Sequence, residues 1–495
     1  MVREKFGKII NSVLPYLLML FLLADTAFSF FQFMSATLDG DMCSIIYPSP
    51  GYTPVMEDPF ALNVLLNNEV YAAPNRFFAH WTMAEYFRSM PLFLQSFTDP
   101  ITSLYSAGAV AKTLMQVLII FILSSFIGAT RDIRKLAFLV PAVLITPLFQ
   151  TDGFTQLMGI IDLSVTYSFF YALPTGILLL YFSFLLKPWY YGEKARINGF
   201  IFVVLFVIAV CLPLSGPLVP PVVILSFLII FIQQFFSPEI AHHHGFINKV
   251  KALFLKQPTR FWILVIIIGL MSLYSFYVGM NNAEQQWAEL PLSERFKRLP
   301  KGLFEIIITK DGFPVLLLFI TVNMWIIRRL YKSKSPEAAR ILSLGKWFLV
   351  FSLIYILLLP FGGYRSYRPN IIRYDTFIPV TLCLIILHGK SAWFILRNLK
   401  GLPKLFYVLA VISFLAYFTI SDKEINHWNG CEWQALKDIR DSPDELVELH
   451  TNCSVFYWGP VLNKDDSRLN GEMMNYWNIT DRAKLYYQVI DEPKK

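Results

Sequence analysis

Long apolar runs separated by short basic loops dominate the chain. The first run covers Asn11–Phe33, behind Arg3, Lys5 and Lys8. It is too long for the core of a cleaved signal peptide and reads as a retained first span. Further runs cover 103–128, 136–150, 156–186, 198–213, 219–236, 261–279, 313–330, 346–361, 374–389 and 404–420. A crossing helix needs about 20 apolar residues, so the pattern predicts about 11 transmembrane helices, within about 9–13. The runs 136–150, 198–213 and 346–361 are short, which suggests tilted, broken or paired re-entrant segments. Pro141, Pro147, Pro174 and Pro213 predict kinks, which neighbouring helices tolerate.

The loops between these runs set an orientation. With the N-terminus inside, each cytoplasmic loop carries Lys or Arg: Arg131, Arg134 and Lys135 in the first, then Lys187, Lys194 and Arg196 in the second. Lys249–Arg260, Arg328–Lys334 and Lys390–Lys404 continue the series. That is the positive-inside pattern, and an odd number of spans puts the C-terminus outside. The outer face then holds a first loop (35–102), loops 280–312 and 362–373, and a tail from Ser421. The expected fold is an all-α polytopic membrane protein, with a multi-span domain over 1–420 and an extracytoplasmic C-terminal domain over 421–495. In that tail, Trp433–Leu449 reads as helix and Ser454–Trp458 as a short strand, a small α/β unit. Cys431 and Cys453 lie in it, as a disulfide or as two free thiols.

Composition agrees. Apolar residues make up 55% and charged residues 16% of the 495 positions, with a mean hydropathy of +0.51. A soluble domain carries about 25% charged residues, so an ordinary soluble enzyme, a disordered chain and a disulfide scaffold are all excluded. The net charge of +8 fits orientation and anionic lipid, and no nucleic-acid partner is read from it. The sequence holds no Walker A, Rossmann glycine pattern, His-Glu-x-x-His or Gly-x-Ser-x-Gly.

Several residues call for an explanation. Asp39-Gly40-Asp41 follows the first span directly. Two carboxylates two apart on a turn can bind a divalent cation, or one can act as general base while the other tunes it. An ordinary polar turn fits the same spacing, with Gly40 letting the chain turn. The loop Gly362–Asp375 brings Arg365, Arg368 and Arg373 together with Tyr364, Tyr367 and Tyr374 on the outer side. Arginine suits bidentate phosphate binding and tyrosine the membrane interface, so the loop reads as a lipid-phosphate site, as contact with bulk anionic lipid, or as an ion pair with Asp375. Loop 280–312 fits an amphipathic surface helix over Leu290–Phe304. Arg76, His80 and Glu85 lie in or near an aromatic stretch, Pro74–Trp81, of the kind that holds sugars or headgroups. His80 equally fits a structural hydrogen bonder. Asp25, Lys112 and Asp162 fall inside predicted spans at similar depths, where ionisable groups mark function or pairing. Asp25 is expected to pair with Lys112, with Asp162 near. The adjacent His242, His243 and His244 cannot all point one way, so a metal site there has little support.

An acid pair on the first outer loop, many spans, a late outer arginine loop and an outer C-terminal domain form a layout that resembles the GT-C superfamily of integral-membrane glycosyltransferases. Asn75–Trp81 and Tyr367–Asp375 are similar to stretches of bacterial membrane proteins placed near that superfamily. The resemblance implies a bacterial inner-membrane enzyme of the cell envelope that uses polyprenyl-phosphate-linked sugars. It implies Asp39 or Asp41 as base, and Arg365, Arg368 and Arg373 against the carrier phosphate. Two other readings compete with it. A transporter or flippase would use Asp25, Lys112 and Asp162 as a polar track. A non-catalytic assembly factor would use the tail to bind a partner.

Overall fold

The computed structural model describes residues 2–149, 160–285, 290–309, 312–332, 334–362, 370–421 and 429–490. Among them, eight helices are long and apolar enough to cross a membrane. The first is α1 (Val2–Met34), whose apolar part is Ser12–Met34. After α2 (Phe77–Leu94) come α3 (Pro100–Ile127), the short α4 (Leu136–Leu148) and α5 (Val165–Tyr191). Two more short apolar helices follow, α6 (Gly199–Leu214) and α7 (Val219–Phe235). The remaining long ones are α8 (Thr259–Gly279), α9 (Gly312–Leu330), α10 (Pro336–Gly362), α11 (Tyr374–Asn398) and α12 (Gly401–Ser421).

Run 346–361, expected to be short, is the second half of the 27-residue α10. Ser335 caps that helix by accepting from the Ala338 N–H, and Pro336 opens it. The helix therefore starts in polar sequence, ahead of the apolar stretch that hydropathy detects.

The core is built around α3 and α11, whose apolar windows are 61% and 78% buried. Helix α3 packs on α1, α2, α4, α5 and α11. Its start is capped by Asp99, which accepts from the N–H groups of Ile101 and Thr102. Small residues at Ala107, Gly108 and Ala109 let neighbours approach: a Cβ on Gly108 would stand 3.3 Å from Val165.

Further expectations change. Asp162 is not inside a span: 160–164 are non-helical, and Ser164 caps the helix that begins at Val165. The surface segment predicted over Leu290–Phe304 is broken into short turns, Leu292–Lys297, Leu299–Leu303 and a π-turn Phe304–Ile308, with Pro300 opening the second. In the tail, the helix ends at Asp441, ahead of Pro443, and is α13 (Gly430–Asp441). Leu446–Leu449 then forms β1, which alternates exposed and buried positions. It pairs in parallel with β2 (Leu485–Gln488), across the intervening α14 (Arg468–Tyr476). The Ser454–Trp458 stretch is a series of bends, with Phe456 at φ 48°. Cys431 and Cys453 are joined in a disulfide, with their Cα atoms 6.2 Å apart.

The C-terminal segment sits on the first loop. Asn429 donates its backbone N–H to Ser35 O at 3.0 Å and its side chain to Met34 O at 2.9 Å. Trp477 is fully buried and donates from Nε1 to Phe87 O at 2.9 Å.

Candidate functional site

The Asp39 turn, the lead-in to α5, the start of α11 and the bends of the C-terminal segment meet at one end of the helical bundle. Asp39 is buried, and both its oxygens accept hydrogen bonds. Oδ2 takes Ser164 Oγ at 3.0 Å and Thr166 N at 2.9 Å, and Oδ1 takes Thr166 Oγ1 at 2.5 Å. Asp39 therefore ties the first loop to the N-terminus of α5, where an acceptor meets otherwise orphaned N–H groups. Asp41 lies on the more open side and accepts from Trp458 Nε1 at 3.0 Å. Trp458 stacks on Tyr167 with ring centres 5.9 Å apart.

Gly40 serves a different purpose from the one its sequence context suggests. A Cβ there would lie 2.6 Å from the backbone nitrogen of Trp458. Close approach of the C-terminal segment demands the glycine, since its φ is not in the left-handed range.

Asp162 is buried beside this turn. Its Oδ1 accepts from Ser164 N at 2.8 Å, and its Oδ2 meets no hydrogen-bond donor among the described residues. Burial pushes its carboxyl up to about 7, a rise that Asp375 and Asp39 reinforce and Lys112 opposes. Lys112, also buried, donates to Leu163 O and lies with its ammonium 5.5 Å from the centre of the Phe33 ring.

The expected Asp25–Lys112 pair is therefore corrected. The carboxylates whose charge reaches Lys112 are Asp162 and Asp39. The antiparallel register of α1 on α3 is marked by Gln116 donating to Ser29 Oγ at 3.3 Å. One turn outward it sets Lys112 opposite Phe33, eight residues from Asp25, or about 12 Å along the axis. Hydropathy fixes the ends of spans too coarsely to resolve that difference.

Arg373 opens α11. Its guanidinium grips Asp375 with two parallel hydrogen bonds, Nε to Oδ1 at 3.0 Å and Nη2 to Oδ2 at 2.7 Å. Burial alone would lower the Arg373 pKa, but Asp375 with Tyr171 and Tyr167 raises it, so the group stays charged. These tyrosines come from the first turns of α5, beside Thr166. Asp41, Trp458 and Tyr167 are thus joined by direct contact, and Arg373, Asp375, Asp162 and Lys112 lie within electrostatic reach around them. Arg365, Arg368 and Tyr367 lie outside the described residues.

The remaining candidates do not join this group. Arg76 packs over the Phe170 ring, with its guanidinium 5.4 Å from the ring centre. His80 is buried with Nδ1 3.0 Å from Arg76 O, and its Nε2 has no partner among the described residues. Burial, helped by the Arg76 charge, lowers its pKa to about 3, so the ring is neutral. Glu85 is exposed and pairs with Arg88 at 2.9 Å, and Arg88 also holds Ile46 O. That pair staples the first loop together. His242, His243 and His244 are exposed. Among the described residues, no three His, Cys, Asp or Glu side chains gather into a metal-holding group.

Sequence reasoning missed Glu432. It is fully buried under the Asp39 turn and accepts from Leu38 N at 2.8 Å, Tyr105 OH at 3.0 Å and Phe456 N at 3.2 Å. Ser164, Thr166 and Trp458 were missed as well. The one local signal was Ser164 as a helix cap. No protein-family model matches the chain, and no curated protein or solved structure matches it significantly.

Proposed function

We propose that the chain is a membrane-embedded glycosyltransferase of the GT-C type. It moves a sugar from a polyprenyl-phosphate donor to an acceptor at the outer face of a bacterial inner membrane, with the N-terminus inside and the C-terminus outside. The observation that carries this reading is the convergence just described. An acid from the first loop bonded to Trp458 of the tail, a buried acid with an unpartnered oxygen, and a guanidinium at the start of α11 are arranged around the lead-in to α5, where Trp458 stacks on Tyr167.

Asp41 is the base in this scheme and Asp39 the residue that positions it, because both Asp39 oxygens are occupied by Ser164 and Thr166. Asp41 takes the proton of the acceptor hydroxyl, and that oxygen bonds to the anomeric carbon. The bond from that carbon to the phosphate oxygen breaks, and polyprenyl phosphate leaves with the electron pair. Arg373 stabilises the charge that builds there, using donors beyond the two given to Asp375. The alternative is a transporter that uses Asp25, Lys112 and Asp162 as a polar track; Lys112 and Asp162 gather at one end of the bundle, and Asp25 lies about two turns along α1 from the level of Lys112.

The test is release of polyprenyl phosphate from a mixed pool of polyprenyl-phosphate sugars by the purified full chain. Wild type should turn over, and Asp41→Asn should be about 10²–10⁴-fold slower, the usual worth of a general base. Failure of wild type to release any donor that it binds would end the transferase reading and favour transport.

A further inference from the structure

A second feature has its polar end at the opposite end of the bundle and does not depend on the transferase reading. A cavity of about 300 Å³ runs between α3, α5, α7, α10 and α11. One end is apolar, lined by Leu218, Val222, Phe351 and Leu382. The other is polar, lined by Lys187, Tyr190, Gln233, Gln234, Arg340 and Ser343. Along α5 the lining runs from Thr175 to Tyr190, about 22 Å at 1.5 Å per residue. That is most of the depth of a bilayer's hydrocarbon core, about 30 Å.

The polar end is cationic. Lys187 donates two hydrogen bonds to Ser125, to its carbonyl and its hydroxyl, each at 2.9 Å, which holds the ammonium in place with one N–H remaining. Arg340 has no carboxylate partner among the described residues, because the nearby Glu337 is taken by Arg397 at 2.6 Å. Lys390 sits just behind, donating to Ile127 O at 3.1 Å and stacked on Tyr190 and Tyr191. The charged groups facing this corner are Lys187, Lys390, Arg340, Arg397 and Arg131 against Glu337 and Glu193. Positive charge is in excess where the apolar slot ends.

An apolar slot of chain length that ends in a basic corner matches one kind of ligand. We propose that the cavity holds a hydrocarbon chain of an anionic membrane phospholipid, whose phosphate is met by Lys187 and Arg340. Basic pockets between membrane helices recognise such headgroups. The basic corner is remote from the Asp39 cluster: Thr166 and Lys187 are 21 residues apart on one helix, about 32 Å, whereas the apolar end of the slot reaches Pro379, one turn along α11 from Asp375.

The full chain would be placed in nanodiscs of equal phosphatidylglycerol and phosphatidylcholine, and the lipids retained on release would be identified by native mass spectrometry. Wild type should retain phosphatidylglycerol at least about tenfold over phosphatidylcholine, as expected from two basic side chains. Lys187→Gln with Arg340→Gln should erase that preference without closing the slot. Ser226→Phe, which fills the middle of the cavity, should expel the lipid whatever its headgroup. Thermal unfolding of each variant checks that it is folded. Equal retention of the two lipids by wild type, or a preference that survives the charge substitutions, overturns the proposal.

Discussion

Glu432 and Asp162 are both buried carboxyls beside the Asp39 turn, yet their surroundings differ. Glu432 accepts three hydrogen bonds, two from backbone N–H groups and one from Tyr105. Asp162 accepts one on Oδ1, and its Oδ2 meets no donor among the described residues. Burial raises both, Glu432 to about 8 and Asp162 to about 7. A carboxyl with its acceptor capacity used holds architecture together. A buried one left partly unpartnered has capacity to bind or move something.

The largest effect should come from the satisfied group. Glu432→Ala strands the N–H groups of Leu38 and Phe456 and the Tyr105 hydroxyl. Each stranded donor costs about 1–3 kcal/mol, so the C-terminal segment should lose about 4 kcal/mol of stability. Limited proteolysis of that segment in the native protein reads this directly. The pH dependence follows from the sign of the shift. The folded protein holds the Glu432 proton up to about pH 8, and the unfolded chain releases it near 4.5. The stabilisation from this group is therefore complete below about pH 4.5 and is lost as pH rises to about 8. Glu432→Gln should flatten that slope, and an unchanged slope would show that another group sets it.

A smaller effect is expected where the two regions touch. Gly40→Ala puts a methyl 2.6 Å from Trp458 N and 2.7 Å from its ring, so the Trp458 bend must move away. Overpacking of this kind costs about 1–3 kcal/mol. It should also weaken the Trp458–Asp41 hydrogen bond while leaving Glu432 satisfied. A variant as stable as wild type, with Trp458 fluorescence unchanged, would mean that the segment stands off from the turn.

This difference between the two carboxyls is only partly visible in the sequence. The apolar runs coincide with the eight long apolar helices among the described residues, because crossing a bilayer imposes a length and a composition, but they do not reveal α2. Asp39 and Asp41 stand out by spacing. The boundary at Val165 does not, because Ile160, Ile161 and Leu163 continue the apolar run through Asp162. The Asp25–Lys112 expectation failed for a related reason: depth was judged from span ends, whereas register is set by side-chain contacts such as Ser29 with Gln116. Glu432 looks like a solvent-facing residue of an amphipathic helix. Only the fold brings Leu38, 394 positions away, onto its carboxylate. Arg373 was chosen for phosphate, and its grip on Asp375 was one of the alternatives that the loop left open.

The smallest change in stability, and the sharpest test of the contrast, belongs to Asp162. Asp162→Asn keeps an acceptor for Ser164 N and removes a charge that burial disfavours. The protein should therefore shift by less than about 1 kcal/mol, unlike Glu432→Ala. The proton itself can be followed by the infrared carbonyl band of a protonated carboxyl, which Asp162→Asn should delete. In wild type that band should fade as pH passes about 7. Lys112 lies close enough to favour the ionised form, so Lys112→Met should move the fading to higher pH. Because the folded-state value is raised above the ordinary 3.8, the contribution of this group to stability is also greatest at low pH and is lost towards pH 7. If Lys112→Met leaves the band where it was, the ammonium and the acid do not act on each other. The cluster would then be two separate groups, and Asp162 would have no more claim to chemistry than Glu432.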